Sequence, residues 1–198
     1  MKYQSLLTIA LIASADVTQA RGSETHTDAP LPMGLDPAHL HLLTNHMPIF
    51  ITLSGLLALG MALVWNKDPD RRVALVLLLT GTLGGLMTYW LGQQAYKPVR
   101  GLADEVGQDW LDLHMERAEQ LIWLFWLAAL TITGALVAEW RKLWYALPVT
   151  LLAGVLAAVT LALSGWIADA GGKIRHSEIR GGAKVVPDVH SGTAPHEH

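Results

Sequence analysis

The sequence predicts an all-α fold, an integral membrane four-helix bundle with both termini on the outer side (N-out/C-out). Three observations predict it. Of 198 residues, 52% are hydrophobic and only 16% are charged, whereas a soluble domain carries about a quarter charged residues. Between Met47 and Ala168 the charges form short islands separated by apolar runs of roughly 20 residues, the length a helix needs to cross the hydrocarbon core. The opening segment, MKYQSLLTIALIASADVTQA, has the parts of a cleaved signal peptide. Lys2 supplies the basic end. Leu6 to Ala13 is apolar but too short to span, and Thr18-Gln19-Ala20 is a small-x-small cleavage site.

In order, residues 1–20 are the signal peptide and 21–36 a disordered lead rich in Thr, Asp and Pro. Residues 37–180 form the four-span helical domain. Residues 181–198 form a disordered, His-containing tail. Asp36-Pro37 starts the first helix, with Asp as N-cap and Pro at the first helical position. This helix runs over 37–65, its apolar part beginning at Met47, and Pro48 is expected to bend it beside His46. Spans two to four are expected at 73–96, 114–137 and 148–168, the last stopped by Gly171-Gly172. Residues 66–72 and 139–144 are short connections. The longer, acidic 96–113 stretch has room for a short surface helix.

Orientation follows from the signal peptide and the even number of spans. Lys67, Arg71 and Arg72 in one short loop and Arg141 and Lys142 in the other then lie inside, as basic loops do. Lys173, Arg175 and Arg180 run against that rule. The expected location is a bacterial inner membrane, multi-pass, with membrane lipid as solvent and both termini in the periplasm.

Several function classes drop out. A net charge of −3 without a long basic run gives nucleic acid no footprint. The absence of cysteine excludes disulfides, thiolate ligands and covalently attached haem. A proton channel is disfavoured because no ionisable residue lies mid-span. No motif supports hydrolase or transferase chemistry.

The nine histidines are the main functional signal, and this topology puts all of them on the outer side. His26, His190, His196 and His198 belong to the tails. His39, His41, His46, His114 and His176 sit at the outer ends of spans one, three and four. His39, His46 and Leu53 recur every seven residues and share a helix face. His46 is the deepest and adjoins Pro48, whereas His39 and His41 read as interfacial or packing residues. His114 lies near Glu116 and Glu119, and His176 follows the double glycine. On span two, Gly81 and Gly85 suit close helix contact. Gly85, Thr88 and Gly92 have the helical spacing of a face against which a flat macrocycle fits.

The segments HLLTNHMPI, LHMERAE and GGKIRHSEI resemble a family of uncharacterised bacterial four-helix membrane proteins. Its members have a His-x-Pro start to the first span and a glycine-rich, His-containing segment after the last. The resemblance covers 37–180. It implies that His46, His114 and His176 are the defining polar positions, and that haem is the cofactor to look for.

Three functions follow as expectations. The first is a b-type haem at the outer end, with His46 and His114 as axial ligands and His176 as further donor or alternative ligand. Arg175, Lys173 and Arg117 would then pair with its propionates, and a quinol or periplasmic redox protein would be the partner. The second is a transition metal ion held by the same histidines with Glu116 or Glu119. The third is a non-catalytic subunit scaffolding a larger periplasm-facing complex. An electron-transfer role is expected before a stand-alone enzyme.

Overall fold

The computed structural model describes residues 36–65 and 67–181. The expected signal peptide, the lead as far as Leu35, the tail beyond Gly181 and the four tail histidines lie outside them. The described residues are helical throughout apart from short connections and contain no strand. The helices are α1 (Pro37–Thr44), α2 (Met47–Trp65), α3 (Asp68–Leu102), α4 (Glu105–Trp140) and α5 (Ala146–Lys173), followed by a 3-10 turn at Ser177–Ile179. Counting α1 with α2, four helical segments are long and apolar enough to cross a membrane.

The helices pack as a bundle, with α2 on α3, α3 on α4, α4 on α5, and α5 back on α2. Its core is built from Leu59, Leu75, Leu78, Ile132 and the alanines Ala74, Ala128, Ala135, Ala153 and Ala157. So many small side chains let the backbones come close, which is how membrane helices gain packing energy when hydrophobic exclusion cannot drive association. Leu57, Val64, Leu130 and Val155 point outward and are exposed, as an apolar surround would require.

The first helix is interrupted, as Pro48 suggests. Helical structure stops at Thr44, turns through Asn45 and His46, and resumes at Met47. Pro48 has no N–H for the Thr44 carbonyl. The Thr44 hydroxyl does not compensate there, because it donates back to Leu40 O at 2.8 Å. Beyond the break, α1 packs on α3 and makes no comparable contact with α5.

The 96–113 stretch departs from expectation. It is not a long loop holding a short helix: α3 and α4 simply continue, and only Ala103 and Asp104 join them. With 35 and 36 residues, each is about 50 Å long at 1.5 Å per residue. The hydrocarbon core is about 30 Å thick, so both overshoot it, and the charged residues put the overshoot at this end. A second small core forms there from Trp110, Leu111, Ala170 and Ile174. Arg100 ties the two extensions, donating to Asp112 Oδ2 at 2.9 Å and Gln108 Oε1 at 2.7 Å. Tyr96 donates to Asp112 Oδ1 at 2.7 Å.

Arg180 closes this end. Its guanidinium makes a two-point contact with Asp104 (2.7 and 2.9 Å) and donates to the carbonyls of Lys173 and Ile174, both at 2.7 Å. Asp104 also caps α4 by accepting from Gly107 N at 2.8 Å. The start of α4 and the end of α5 are therefore clasped by one ion pair. Those Arg180 hydrogen bonds, then the Gly107 N–H, hold the Asp104 carboxyl below the usual carboxylate range. A depressed folded value means the clasp stabilises fully above the unfolded aspartate value of about 3.9 and weakens as pH falls through the folded value. Thermal melts in detergent at neutral pH and near pH 3 are expected to differ more for the wild type than for Asp104→Asn. Equal pH sensitivity in the two proteins would remove the clasp from the account.

The opposite pole holds a buried ionic cluster that the sequence reading left in the loops. Arg71 Nε donates to Glu139 Oε1 at 2.9 Å, and Thr150 Oγ1 donates to the same oxygen at 3.2 Å. Arg71 also pairs with Asp68, and Arg72 donates to Glu139 O at 3.1 Å. Arg71 and Glu139 are 8% and 3% exposed, so each depends on its partner for solvation. Glu139→Ala is expected to cost about 1–3 kcal/mol, because Arg71 loses its buried partner and keeps Asp68. A double variant, Arg71→Met with Glu139→Leu, should recover much of the lost melting temperature; if it melts no higher than the single variant, the pair is not what stabilises this pole.

Candidate functional site: a histidine pair at one pole

The histidine pole is set by how α1 and α2 lie along α3. The glycines of α3 show the register. A side chain at Gly81 would run into Thr52, at Gly84 into Pro48, and at Gly92 into the His41 ring. Chain number rises on one helix as it falls on the other, so the helices are antiparallel and His41 lies over Gly92. The α3 glycines serve close helix packing, the reading their spacing favoured: Gly85 faces the Phe125 ring and Gly92 faces His41, so the alternative macrocycle face is not bare.

His41 reaches across the bundle toward His114 of α4, their ring centroids 6.5 Å apart and their planes at 79°. Each ring is anchored to a third helix. His41 Nδ1 lies 3.0 Å from Thr88 O on α3, and His114 Nδ1 lies 2.9 Å from Ile167 O on α5. A carbonyl only accepts, so both Nδ1 atoms carry the proton and both Nε2 atoms keep a lone pair. Among the described residues neither Nε2 has a hydrogen-bond partner. His114 rests on Gly171 as His41 rests on Gly92, with a built Cβ falling 3.1 Å from His114 Nδ1 and 3.0 Å from His41 Cε1. The four helices thus present two imidazoles from facing helices, each tautomer fixed by the other two.

The sequence-predicted residues divide accordingly. His114 is in the pair. His46 is not: it is exposed, at the break between α1 and α2, and His41 holds the place expected for it. Two helical positions differ by about 200°, so His39 and His41 face opposite ways, and His39, His46 and Leu53 share the outward face. His176 is exposed beyond α5, its Nδ1 2.8 Å from Glu178 Oε1, and Arg175 is exposed beside it. Arg117, one turn from His114, is held against α5. Its Nη1 donates to Trp166 O at 2.7 Å, its guanidinium lies 4.1 Å from the Trp166 ring, and its buried Nε has no partner. Lys173 pairs with Asp169 at 2.8 Å and lies over the Trp110 ring. Glu116 and Glu119 are exposed and accept from Gln120 and Gln93. Among the described residues no group of three or more His, Asp or Glu is placed to hold a metal ion.

One sequence signal would have found His41. Pro48, Thr52, Gly55, Leu59 and Ala62 are the buried line of α2, and stepping back seven residues from Pro48 gives His41. On α4 the same step from the buried Gly107 gives His114.

The fixed tautomers are open to direct measurement. Nitrogen-15 NMR of the imidazoles should show His41 and His114 protonated at Nδ1, with His46 outside that pattern. An Nε2-protonated His41 or His114 would contradict the anchoring. Comparison with protein-family models, curated proteins and solved structures finds no match for this chain.

Proposed function

We propose that this chain is a multi-pass protein of a bacterial inner membrane that holds one b-type haem between His41 and His114 and serves electron transfer. The observation that carries the reading is the anchored pair. The two rings stand 6.5 Å apart from facing helices, and with Nδ1 engaged by a carbonyl in each both would have an Nε2 lone pair to give one metal centre. A bare ion needs more ligands than two, whereas a porphyrin brings four nitrogens of its own.

Each residue then has a part. His41 and His114 would hold the haem iron through their Nε2 atoms. The Thr88 and Ile167 carbonyls orient the rings and raise their basicity, as partners of metal-bound imidazoles do. Arg117 puts a positive charge beside His114, suited to a propionate. The weak packing between α1 and α5 leaves one side of the pair open to exchange. When bound, the haem supplies a one-electron couple. The partner is a quinol or a periplasmic redox protein.

A second reading rests on the same hydrogen bonds. His41 to Thr88 and His114 to Ile167 each join two helices, which suits a non-catalytic subunit in a larger membrane complex. An absorption spectrum of the full chain, purified in mild detergent, separates the two. A Soret band lost in His41→Ala and in His114→Ala but kept in His46→Ala is the expected result. No Soret band after haem supplementation, or a band that survives the double variant, would overturn the haem reading and leave the scaffold.

The orientation follows the signal peptide and the basic short loops, and puts the histidine pole in the periplasm. A reporter fused after His198 should be active when it is one that works only in the periplasm. Activity of a cytoplasm-only reporter at that position would invert the topology.

A further inference from the structure

The geometry points to a groove for one anionic phospholipid on the exposed side of α2, at the pole opposite the histidines. Nothing in it depends on the haem reading. Leu56, Leu57, Gly60, Met61, Val64 and Trp65 line an open, apolar groove of about 300 Å³. Gly60 makes it. A side chain there would meet no atom within 4 Å, so its absence leaves a trough between the exposed Leu57 and Val64. Leu56 and Trp65 are nine positions apart, about 14 Å at 1.5 Å per residue. Half of a hydrocarbon core about 30 Å thick is about 15 Å, so the groove is as long as one leaflet is deep.

A cation stands at its end. Lys67 Nζ lies 6.0 Å from the centroid of the Trp65 ring, which closes the groove. The charges around it are unequal. Asp68 and Glu139 are both taken by Arg71. Among the described residues Lys67, Arg72, Arg141 and Lys142 have no carboxylate partner, and Asp70 is the exposed acid that remains at this pole.

Shape and charge agree on one occupant, with an acyl chain along the groove and its phosphate on Lys67. Basic residues at the ends of spans hold acidic head groups in this way. A second copy of the chain fits worse. Two copies inserted the same way are related by a two-fold axis along the membrane normal, which sets α2 against α2 and each residue toward its own mate. Lys67 would then approach Lys67, like charge to like.

The variants that test this leave the bundle intact. The Lys67 side chain makes no cap hydrogen bond to α3, and Gly60 has open space beside it. The full chain is reconstituted in phosphatidylcholine vesicles carrying rising fractions of brominated phosphatidylglycerol or, in parallel, brominated phosphatidylcholine. Brominated acyl chains quench tryptophan on contact, and the Trp65 share is the difference from Trp65→Phe. Half-quenching of that share is expected at about a fivefold lower fraction of phosphatidylglycerol, the effect of one cation at the membrane surface. Lys67→Gln should lose the preference, and Lys67→Arg should keep it. Gly60→Leu should lose it too, because a filled groove no longer seats the chain below the cation. Equal quenching by the two lipids in the wild type, or a preference unchanged in Lys67→Gln or in Gly60→Leu, would overturn the site. Trp65 quenched by neither lipid would mean that protein covers the groove, a second copy included, and would overturn it as well.

Discussion

The close antiparallel contact of the first two spans is the constraint on which the rest of the molecule depends. Gly81, Gly84 and Gly92 of α3 meet Thr52, Pro48 and His41 in turn, and Gly55 of α2 meets Leu78. A side chain at Gly81 would run into the Thr52 backbone and force the helices apart, and one at Gly55 would press on Leu78. One register therefore serves the whole length, from Gly55 up to His41. Because α1 continues the line of α2 past the Asn45–His46 break, that register also decides which histidine enters the bundle. A slip of one helical position would carry His41 about 100° off its face and away from Thr88 O.

The buried ion pair and the histidine pair occupy opposite poles. At one, Arg71, Glu139 and Thr150 join α3, α4 and α5 through buried hydrogen bonds, and the helix ends are closed. At the other, the ring of helices is complete only as far as α2; α1 leans on α3, and its side toward α5 is weakly packed. The overshoot of α3 and α4 and the Arg180–Asp104 clasp offset that looseness by building a second, polar-walled core beside the histidines. The histidine pair and the ion pair thus lie 25 residues apart on α4, at His114 and Glu139.

The fold was legible in the sequence because four apolar runs, two short basic connections and an Asp-Pro start are local signals. The break at His46 was legible for the same reason, since Pro48 acts through its own missing N–H. The continuation of α3 and α4 through the acidic stretch was hidden. Charged residues there read as a loop, yet Arg100, Asp112, Tyr96 and Gln108 satisfy one another only once the helices lie side by side. The buried Arg71–Glu139 pair was hidden likewise, being 68 residues apart in the chain. At the site, His114 was found and His41 was passed over for His46. Depth in the span and nearness to Pro48 favoured His46, but a helix face is set by angle, and the buried line through Pro48 and Thr52 runs back to His41.

The glycines beneath the two rings bear most on what the pair is for. An imidazole that merely fills a core is free to lie against its neighbour. These two meet edge-on, and each is also drawn onto a glycine of the adjacent helix, Gly92 or Gly171, and held there by a carbonyl at 3.0 or 2.9 Å. The result is a centroid separation of 6.5 Å, too long for a direct hydrogen bond between ring nitrogens. A side chain at either glycine would add buried contact, and its absence lets the rings stand back from each other. Two helices anchor the imidazoles through carbonyls and glycines while two others carry them. The arrangement suits a group placed between the rings, and it is from the carbonyls and glycines, more than from the histidines themselves, that the haem reading takes its support.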